Sequence, residues 1–464
     1  MRGLGLGVAL TASGLLIASC GSAGNPGELG PVTTCAGTLA AFPGVGALPV
    51  VAALPDPFQA MDGTRIARAD QWACRTTEIG AQAQTYELGT KPPKPATVTG
   101  SFDGSNITVN VSSGGKSISF TAAVTLPTSG TAPYPAMIGI GGISIGPATL
   151  NSLGVATIIF PNDTLAVEVD GSSRGMGAFY QLYGANHPAG AMMAWAWGVS
   201  RLIDVIAQTP SAQIDPARLG VTGCSRNGKG ALIVGAFDDR IALTIPQESG
   251  SGGSASWRVS DWQTANGPTV QTLSEITGEN VWFRSSFSQF NNASTKLPFD
   301  HHMIEGMIAP RALLVIENTS QVWLGDVSTY TDSMAAHEIW QALGIPDHMG
   351  VSQIGDHDHC VWNGSQQPEV TAYVQKFLIG GGTADTNVLK TDGDYTFDQA
   401  TWAPWSIPAL QGAAAAADGG AGGMPDAGLV SSDAGLVSSD AGADRTSHDA
   451  AVDTSVDMSI DSAP

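Results

Sequence analysis

Thr222-Gly223-Cys224-Ser225-Arg226-Asn227-Gly228-Lys229-Gly230-Ala231 sets one serine among small residues. A strand-like run, Ala217 to Val221, leads into it, and an apolar run, Ala231 to Phe237, leads out. A serine at such a strand-to-helix turn is the signature of a nucleophile elbow, whose tight turn lifts the hydroxyl clear of a sheet. Glycine there lets a substrate and a facing helix approach the backbone closely. The competing reading is an ordinary glycine-rich turn, and the stretch by itself does not choose between the two. If it is an elbow, the rest of the chain must supply a base, an orienting acid, oxyanion donors and a pocket.

The surrounding rhythm fits an elbow. From Tyr134 onward, short apolar segments at 136–140, 155–160, 219–222, 242–246 and 312–316 alternate with helical patterns at 189–208, 330–343 and 367–377. Such alternation implies a mainly parallel sheet covered on both faces. Upstream, 70–86 reads as a helix that the Lys91–Pro95 run ends, and 105–111 and 116–124 alternate around Ser112-Ser113-Gly114-Gly115, a hairpin signal. The expected architecture is the α/β-hydrolase fold, a three-layer αβα sandwich with a mainly parallel central sheet and an antiparallel N-terminal hairpin.

The ends read differently from the middle. Met1 to Ser19 has the form of an export signal, too short in its apolar part for the ~20 residues of a spanning helix. Ile17-Ala18-Ser19-Cys20 resembles a bacterial lipobox, in which Cys20 becomes an acylated first residue and the membrane is met only through that lipid. The expected divisions are a lipoprotein signal peptide (1–19), a flexible tether (20–34), a catalytic domain (35–408) and an acidic low-complexity tail (409–464). That tail includes two copies of Asp-Ala-Gly-Leu-Val-Ser-Ser, starting at Asp426 and Asp433, too few for a repeat architecture. The formal net charge of −21, with no basic patch to offset it, argues against a nucleic-acid partner.

A serine nucleophile needs a base within hydrogen-bond reach and an acid to orient that base. In this architecture they follow in the order serine, acid, histidine. Of eight histidines, the best placed are His357 and His359, in a polar loop before the last helix. An H-x-H pair can chelate metal, but no helical H-E-x-x-H accompanies it, and no metal or cofactor is expected. Cysteines choose between the two. Cys224 precedes Ser225 and Cys360 follows His359, so a Ser225–His359 encounter brings the two cysteines together. Their bridge leaves Cys35 to pair with Cys74, and lipidation of Cys20 accounts for the fifth cysteine of an exported chain. For the acid, Glu317 ends the strand where this fold usually carries it, while Glu248 ends the previous strand before a glycine-rich turn; position slightly favours Glu317. The amide and guanidinium of Arg226 are candidate oxyanion donors, with a second amide from Ile140-Gly141-Gly142-Ile143.

These stretches together resemble the glucuronoyl esterases (4-O-methyl-glucuronoyl methylesterases), a carbohydrate esterase family. The matching motifs are Gly223 to Lys229, Pro246 to Gly250 with Trp257-Arg258 and Asp261-Trp262, Pro298 to His302, Trp323-Leu324-Gly325 and His357 to Cys360. The resemblance runs from about Cys35 to Trp405. It implies hydrolysis of esters between glucuronic acid side groups of glucuronoxylan and lignin alcohols. A cofactor-free serine esterase working as a monomer is expected. It implies Ser225 as nucleophile, His359 as base, Glu248 rather than Glu317 as acid, and Arg226 at the oxyanion. It further implies sugar contacts from Lys229, Gln271, Glu279 and Trp323. Alternatives from the residues themselves are an acetyl or feruloyl esterase, or a surface lipoprotein that binds glucuronoxylan without turnover. One departure stands out. Fungal members commonly carry a further bridge between the residue before the Trp-Arg pair and one beyond Trp-Leu-Gly, yet here Ser256 precedes Trp257 and no cysteine follows Gly325 until Cys360. A less constrained Trp323 loop is expected.

Overall fold

Strands alternate with helices through most of the computed structural model, which describes residues 42–412. The lipobox with Cys20, the tether, Cys35 and the acidic tail beyond 412 lie outside the described residues. Ten strands make one sheet: β1 (Thr97–Phe102), β2 (Asn106–Ser113), β3 (Lys116–Thr125), β4 (Tyr134–Ile140), β5 (Ala156–Phe160), β6 (Ile214–Cys224), β7 (Ile241–Gln247), β8 (Ala312–Glu317), β9 (Met349–Gln353) and β10 (Leu389–Thr391). Their order across the sheet is β1-β2-β3-β5-β4-β6-β7-β8-β9-β10. β1, β2 and β3 run antiparallel, β3 also meets β5 antiparallel, and every pairing from β5 to β10 is parallel.

The hairpin closes at Ser113 opposite Lys116, on the Gly114-Gly115 turn that the sequence marks. The sequence reading omits β1, β9 and β10. β1 breaks its alternation at Gly100, where an added Cβ would fall 2.2 Å from Thr108 O.

Both sheet faces are covered because the parallel strands are apolar on both. In β8, Leu313 and Val315 enter the larger core with the Ala191–Gln208 and Arg226–Phe237 helices. Ala312, Leu314 and Ile316 enter a second core under the Gln367–Val374 helix. The sandwich therefore has its expected three layers. The Ala191–Gln208 helix is buried over nearly its whole length, including Trp195 and Trp197. Leu410 is still buried, and Gln411 O accepts from Ala69 N, so packing on this domain continues a few residues past Pro408.

Candidate active site

β6 ends at Cys224 and the next helix starts at Arg226, which leaves Ser225 alone in the turn with φ 59°. A non-glycine residue held in that region costs about 1–3 kcal/mol, and such strain persists where surrounding structure fixes it. Ser225 N donates to Gln247 O at 3.0 Å. An added Cβ at Gly223 would lie 2.4 Å from Asn227 O, and one at Gly228 would lie 2.6 Å from Gln247 O. Glycine at both positions lets the helix start close against β6 and β7. Asn227 stands where a smaller residue is usual in such an elbow. Its amide is clasped by Asn162 Nδ2 at 3.2 Å, beside Gly141, which has no side chain to displace it.

His359 Nδ1 meets Glu248 Oε2 at 2.8 Å, and Cys360 N donates to the same oxygen at 2.9 Å. Gln247 Nε2 holds the other oxygen at 3.0 Å. Burial alone would push the Glu248 carboxyl up, but the hydrogen bonds from His359, Cys360 and Gln247 outweigh it and leave it below its ordinary value. It is therefore a charged acceptor that fixes the imidazole tautomer with Nε2 free to act as base. His357 is occupied otherwise: Nε2 meets Ile354 O at 2.9 Å and Nδ1 meets the Asn318 amide at 3.1 Å.

Glu317 does not reach either histidine. Its Oε1 accepts from Gly250 N at 3.1 Å, within a fully buried setting that, chiefly by desolvation, pushes its carboxyl up to about 8. The structure thus sets Glu248 on His359, against the slight positional preference for Glu317. The reason is local backbone: Glu248 has φ 45°, which swings its side chain off the strand line toward the base loop.

Cys224 and Cys360 are joined in a disulfide across 136 residues of sequence. Cys74 is also disulfide-bonded; Cys35, its expected partner, lies outside the described residues. His359 Nε2 stands 3.6 Å from Cys360 Sγ, and among the described residues Ser225 Oγ makes no hydrogen bond. Hydrogen bonds between base and nucleophile often tighten only with substrate bound. The bridge limits how far that adjustment can go. Replacing both cysteines by serine is expected to lower kcat about 10²-fold, the cost of roughly an ångström of misplacement. It should also lower stability by roughly 2–5 kcal/mol. Steady-state kinetics and thermal melts of Cys224→Ser/Cys360→Ser check both.

Ser225, Arg226, Lys229, Gln271, Glu279, Trp323 and His359 all line one cavity of about 570 Å³. Lys229 is buried, with Nζ 2.5 Å from Ser249 O and 5.7 Å above the Trp282 ring. Desolvation pulls it down to about 8 against the opposing pull of Glu279 and Glu317. Desolvation likewise raises Glu279, although Lys229 works in the other direction. Gln271 Nε2 approaches Glu279 Oε2 at 3.4 Å, and Gln271 Oε1 is buried without a partner. An unpaired acceptor in a concave polar wall suits a hydroxyl donor from a ligand. Trp323, partly exposed, stands edge-on to His359 with centroids 5.1 Å apart.

The Trp323 loop is tied without a cysteine bridge. Ser256 and Ser328 bring their hydroxyls to 3.5 Å, and Ser328 Oγ donates to Ser256 O at 3.0 Å. From Ser328 the chain of hydroxyls continues through Ser260 at 3.0 Å and Ser251 at 2.7 Å to Gln271 O at 2.6 Å. Gln271 N in turn donates to Trp323 O at 2.8 Å. Four buried serines thus fasten both cavity residues.

Other residues were not legible. Glu168 pairs with Arg226, and Trp282 forms cavity wall. Gly141 N, one of the amides considered for the oxyanion, already donates to Phe160 O at 3.1 Å. The amide of Arg226 opens its helix, where no intrahelical acceptor exists. His301 and His302 are buried and bonded to Glu87 and Pro55 O, as packed residues would be. Cys224, His359 and Cys360 cluster closely enough to suggest a metal, but both sulfurs are committed to the disulfide.

Comparison with known proteins gives the same direction. The family model "Glucuronyl esterase, fungi" matches residues 109–344. A 4-O-methyl-glucuronoyl methylesterase of Hypocrea jecorina is 51% identical over 373 residues, 80% of this chain and 79% of the relative. A glucuronoyl esterase of Sporotrichum thermophile was solved as a serine-to-alanine mutant in complex with methyl 4-O-methyl-β-D-glucopyranuronate. It superimposes with a TM-score of 0.74 at 46% identity, over 78% of this chain and 97% of that one. A carbohydrate esterase family 15 glucuronoyl esterase from Caldicellulosiruptor kristjansonii gives 0.68 at 30% identity, over 78% and 99%. With half its length inside the family model and a hydrolase's elbow in its sheet, this chain belongs to the glucuronoyl esterases, a family of carboxylic-ester hydrolases.

Proposed function

We propose that this esterase cleaves the ester joining (4-O-methyl-)glucuronic acid side groups of glucuronoxylan to lignin alcohols. The observation that supports this most is the Glu248–His359 pair facing the Ser225 elbow across a cavity with an unpaired Gln271 acceptor, beside Lys229, Glu279 and Trp323. Lys229, Gln271 and Glu279 hold the sugar hydroxyls while the Trp323 ring faces the pyranose.

In the first half-reaction, Ser225 Oγ attacks the uronoyl carbonyl carbon as His359 Nε2 takes the hydroxyl proton. The carbonyl electrons move onto oxygen, where the Arg226 amide and guanidinium meet the new charge. Glu248 stays ionised and steadies the imidazolium. Collapse of the tetrahedral intermediate breaks the bond to the alcohol, which leaves with the proton from His359. Water then attacks the acyl-enzyme, passes its proton to His359, and glucuronate departs as Ser225 is restored. The chain's own residues suffice for each step.

Benzyl glucuronate, set against an acetyl and a feruloyl ester, tests the substrate. A kcat/KM advantage of roughly 10²-fold for the glucuronate ester is expected, because a site with buried polar groups loses most when a substrate leaves them unpaired. Preference for either of the other esters overturns the assignment.

The location proposed is the outside of a bacterial cell, with a monomer tethered by lipid on Cys20 and spaced from the membrane by the segment before the domain. Among the described residues, no helix is long and apolar enough to cross a membrane. Native mass spectrometry of detergent-extracted protein checks both statements: an unacylated Cys20 sinks the anchor, and a dimer mass sinks the monomer.

A further inference from the structure

Arg226 reaches the cavity held from behind. Its Nε lies 3.0 Å from Glu168 Oε1, and the Glu168 side chain is almost wholly buried while that of Arg226 is half exposed. The other carboxylate oxygen accepts from Trp282 Nε1 at 2.5 Å, and Glu168 O accepts from Asn280 Nδ2 at 2.7 Å. Glu168 is thus fixed at three atoms, two of them to the segment that carries Trp282 into the cavity wall. Because Nε is taken, the terminal nitrogens of Arg226 remain for an anion. Burial chiefly, helped by the neighbouring Asp163 and Glu279 carboxylates, leaves the Glu168 carboxyl above its ordinary value, while the Trp282 hydrogen bond and the Arg226 charge hold that rise back.

The charge balance has a chemical consequence. Substrate is a neutral ester, the transition state carries a transient oxyanion, and the product is a permanent carboxylate. An uncompensated guanidinium binds carboxylates through two parallel hydrogen bonds, among the strongest that side chains make. Beside cationic Lys229, it would hold the product in preference to the ester. A buried carboxylate behind Arg226 lowers that preference and leaves its donors aimed where charge develops.

We propose that Glu168 is a positioning residue for the esterase reaction: it orients the Arg226 guanidinium on the oxyanion and weakens its hold on the glucuronate product. This rests on the reaction proposed above. It predicts coupling between positions 168 and 226, and it predicts that loss of charge at 168 turns glucuronate into a better inhibitor.

The test uses the full chain, benzyl glucuronate as substrate and glucuronate as inhibitor. Glu168→Gln keeps the shape and removes the charge. Its kcat is expected to fall about tenfold with KM nearly unchanged, the pattern for an interaction made mainly in the transition state. Its inhibition constant for glucuronate should fall about fivefold as the guanidinium loses the competing charge behind it and holds the product carboxylate more strongly. In an Arg226→Ala background the same substitution should change neither quantity. Trp282→Phe removes the donor to Glu168 while keeping an aromatic ring under Lys229 in the cavity wall, and the part of its kcat loss that runs through Glu168 should be smaller than that of Glu168→Gln and vanish in that background. Wild-type kcat and inhibition in Glu168→Gln overturn the proposal, as does a loss that persists without Arg226. A wild-type protein inactive on benzyl glucuronate is a different result, and it defeats the reaction rather than the coupling.

Discussion

Ser225→Ala lowers kcat on benzyl glucuronate by roughly a million-fold, the scale on which removing a serine nucleophile acts when the other groups remain in place. The expectation follows from the elbow. Ser225 is the residue between strand and helix, strained at φ 59°, with its hydroxyl uncommitted beside the base loop. Alanine keeps the backbone turn and removes the attacking atom. The residual rate comes from the oxyanion donors and from binding, which the substitution leaves alone. Calorimetric titration with glucuronate should therefore give an affinity close to wild type, because Lys229, Gln271, Glu279 and Trp323 are untouched. Unchanged turnover would remove Ser225 from the mechanism.

Glu248→Ala is the second large effect, a kcat loss of roughly 10⁴-fold, with Glu317→Ala far smaller. Alanine at 248 strips His359 Nδ1 and Cys360 N of one shared acceptor, so both the tautomer and the loop position are released. Alanine at 317 leaves the base pair intact and costs the Gly250 N–H its partner. A greater kinetic loss at 317 would reverse the assignment of the acid. Stability separates the two carboxyls as well. Glu317 is raised to about 8, so the folded state holds a proton there that the unfolded chain has given up above about pH 4.3. Stability is then drained as pH rises from that value toward 8. Glu248 has the opposite sign: its lowered value contributes stability at neutral pH that is lost as pH falls. Glu317→Gln should accordingly narrow the drop in melting temperature between pH 5 and pH 8. An unaltered drop would mean that Glu317 is ionised in the folded protein.

How far the sequence spoke depended on whether the signal was local. The elbow, the hairpin and the long buried helix are written in neighbouring residues, and they folded close to where the pattern set them. β9 was missed because Met349 to Gln353 is buried yet polar. Gln353 Nε2 donates to Asp326 O, and Ser352 O accepts from Gln366 Nε2, partners that no alternation reveals. His359 was separable from His357 only because cysteines happened to flank both ends of the encounter. The acid was not separable by position, since a left-handed Glu248 backbone decides it. Glu168 gave no signal at all. It sits in a loop without periodicity and finds Trp282 114 residues away. The serine chain behind Trp323 was equally silent, because a missing cysteine says nothing of the hydroxyls standing nearby.

The disulfide between Cys224 and Cys360 closes a ring of chain with Ser225 at its start and His359 at its end. Any single peptide bond cut inside that ring, in the loops between β7 and β9, leaves nucleophile and base in one covalent molecule. The protein can then be nicked there without its two reacting side chains parting company.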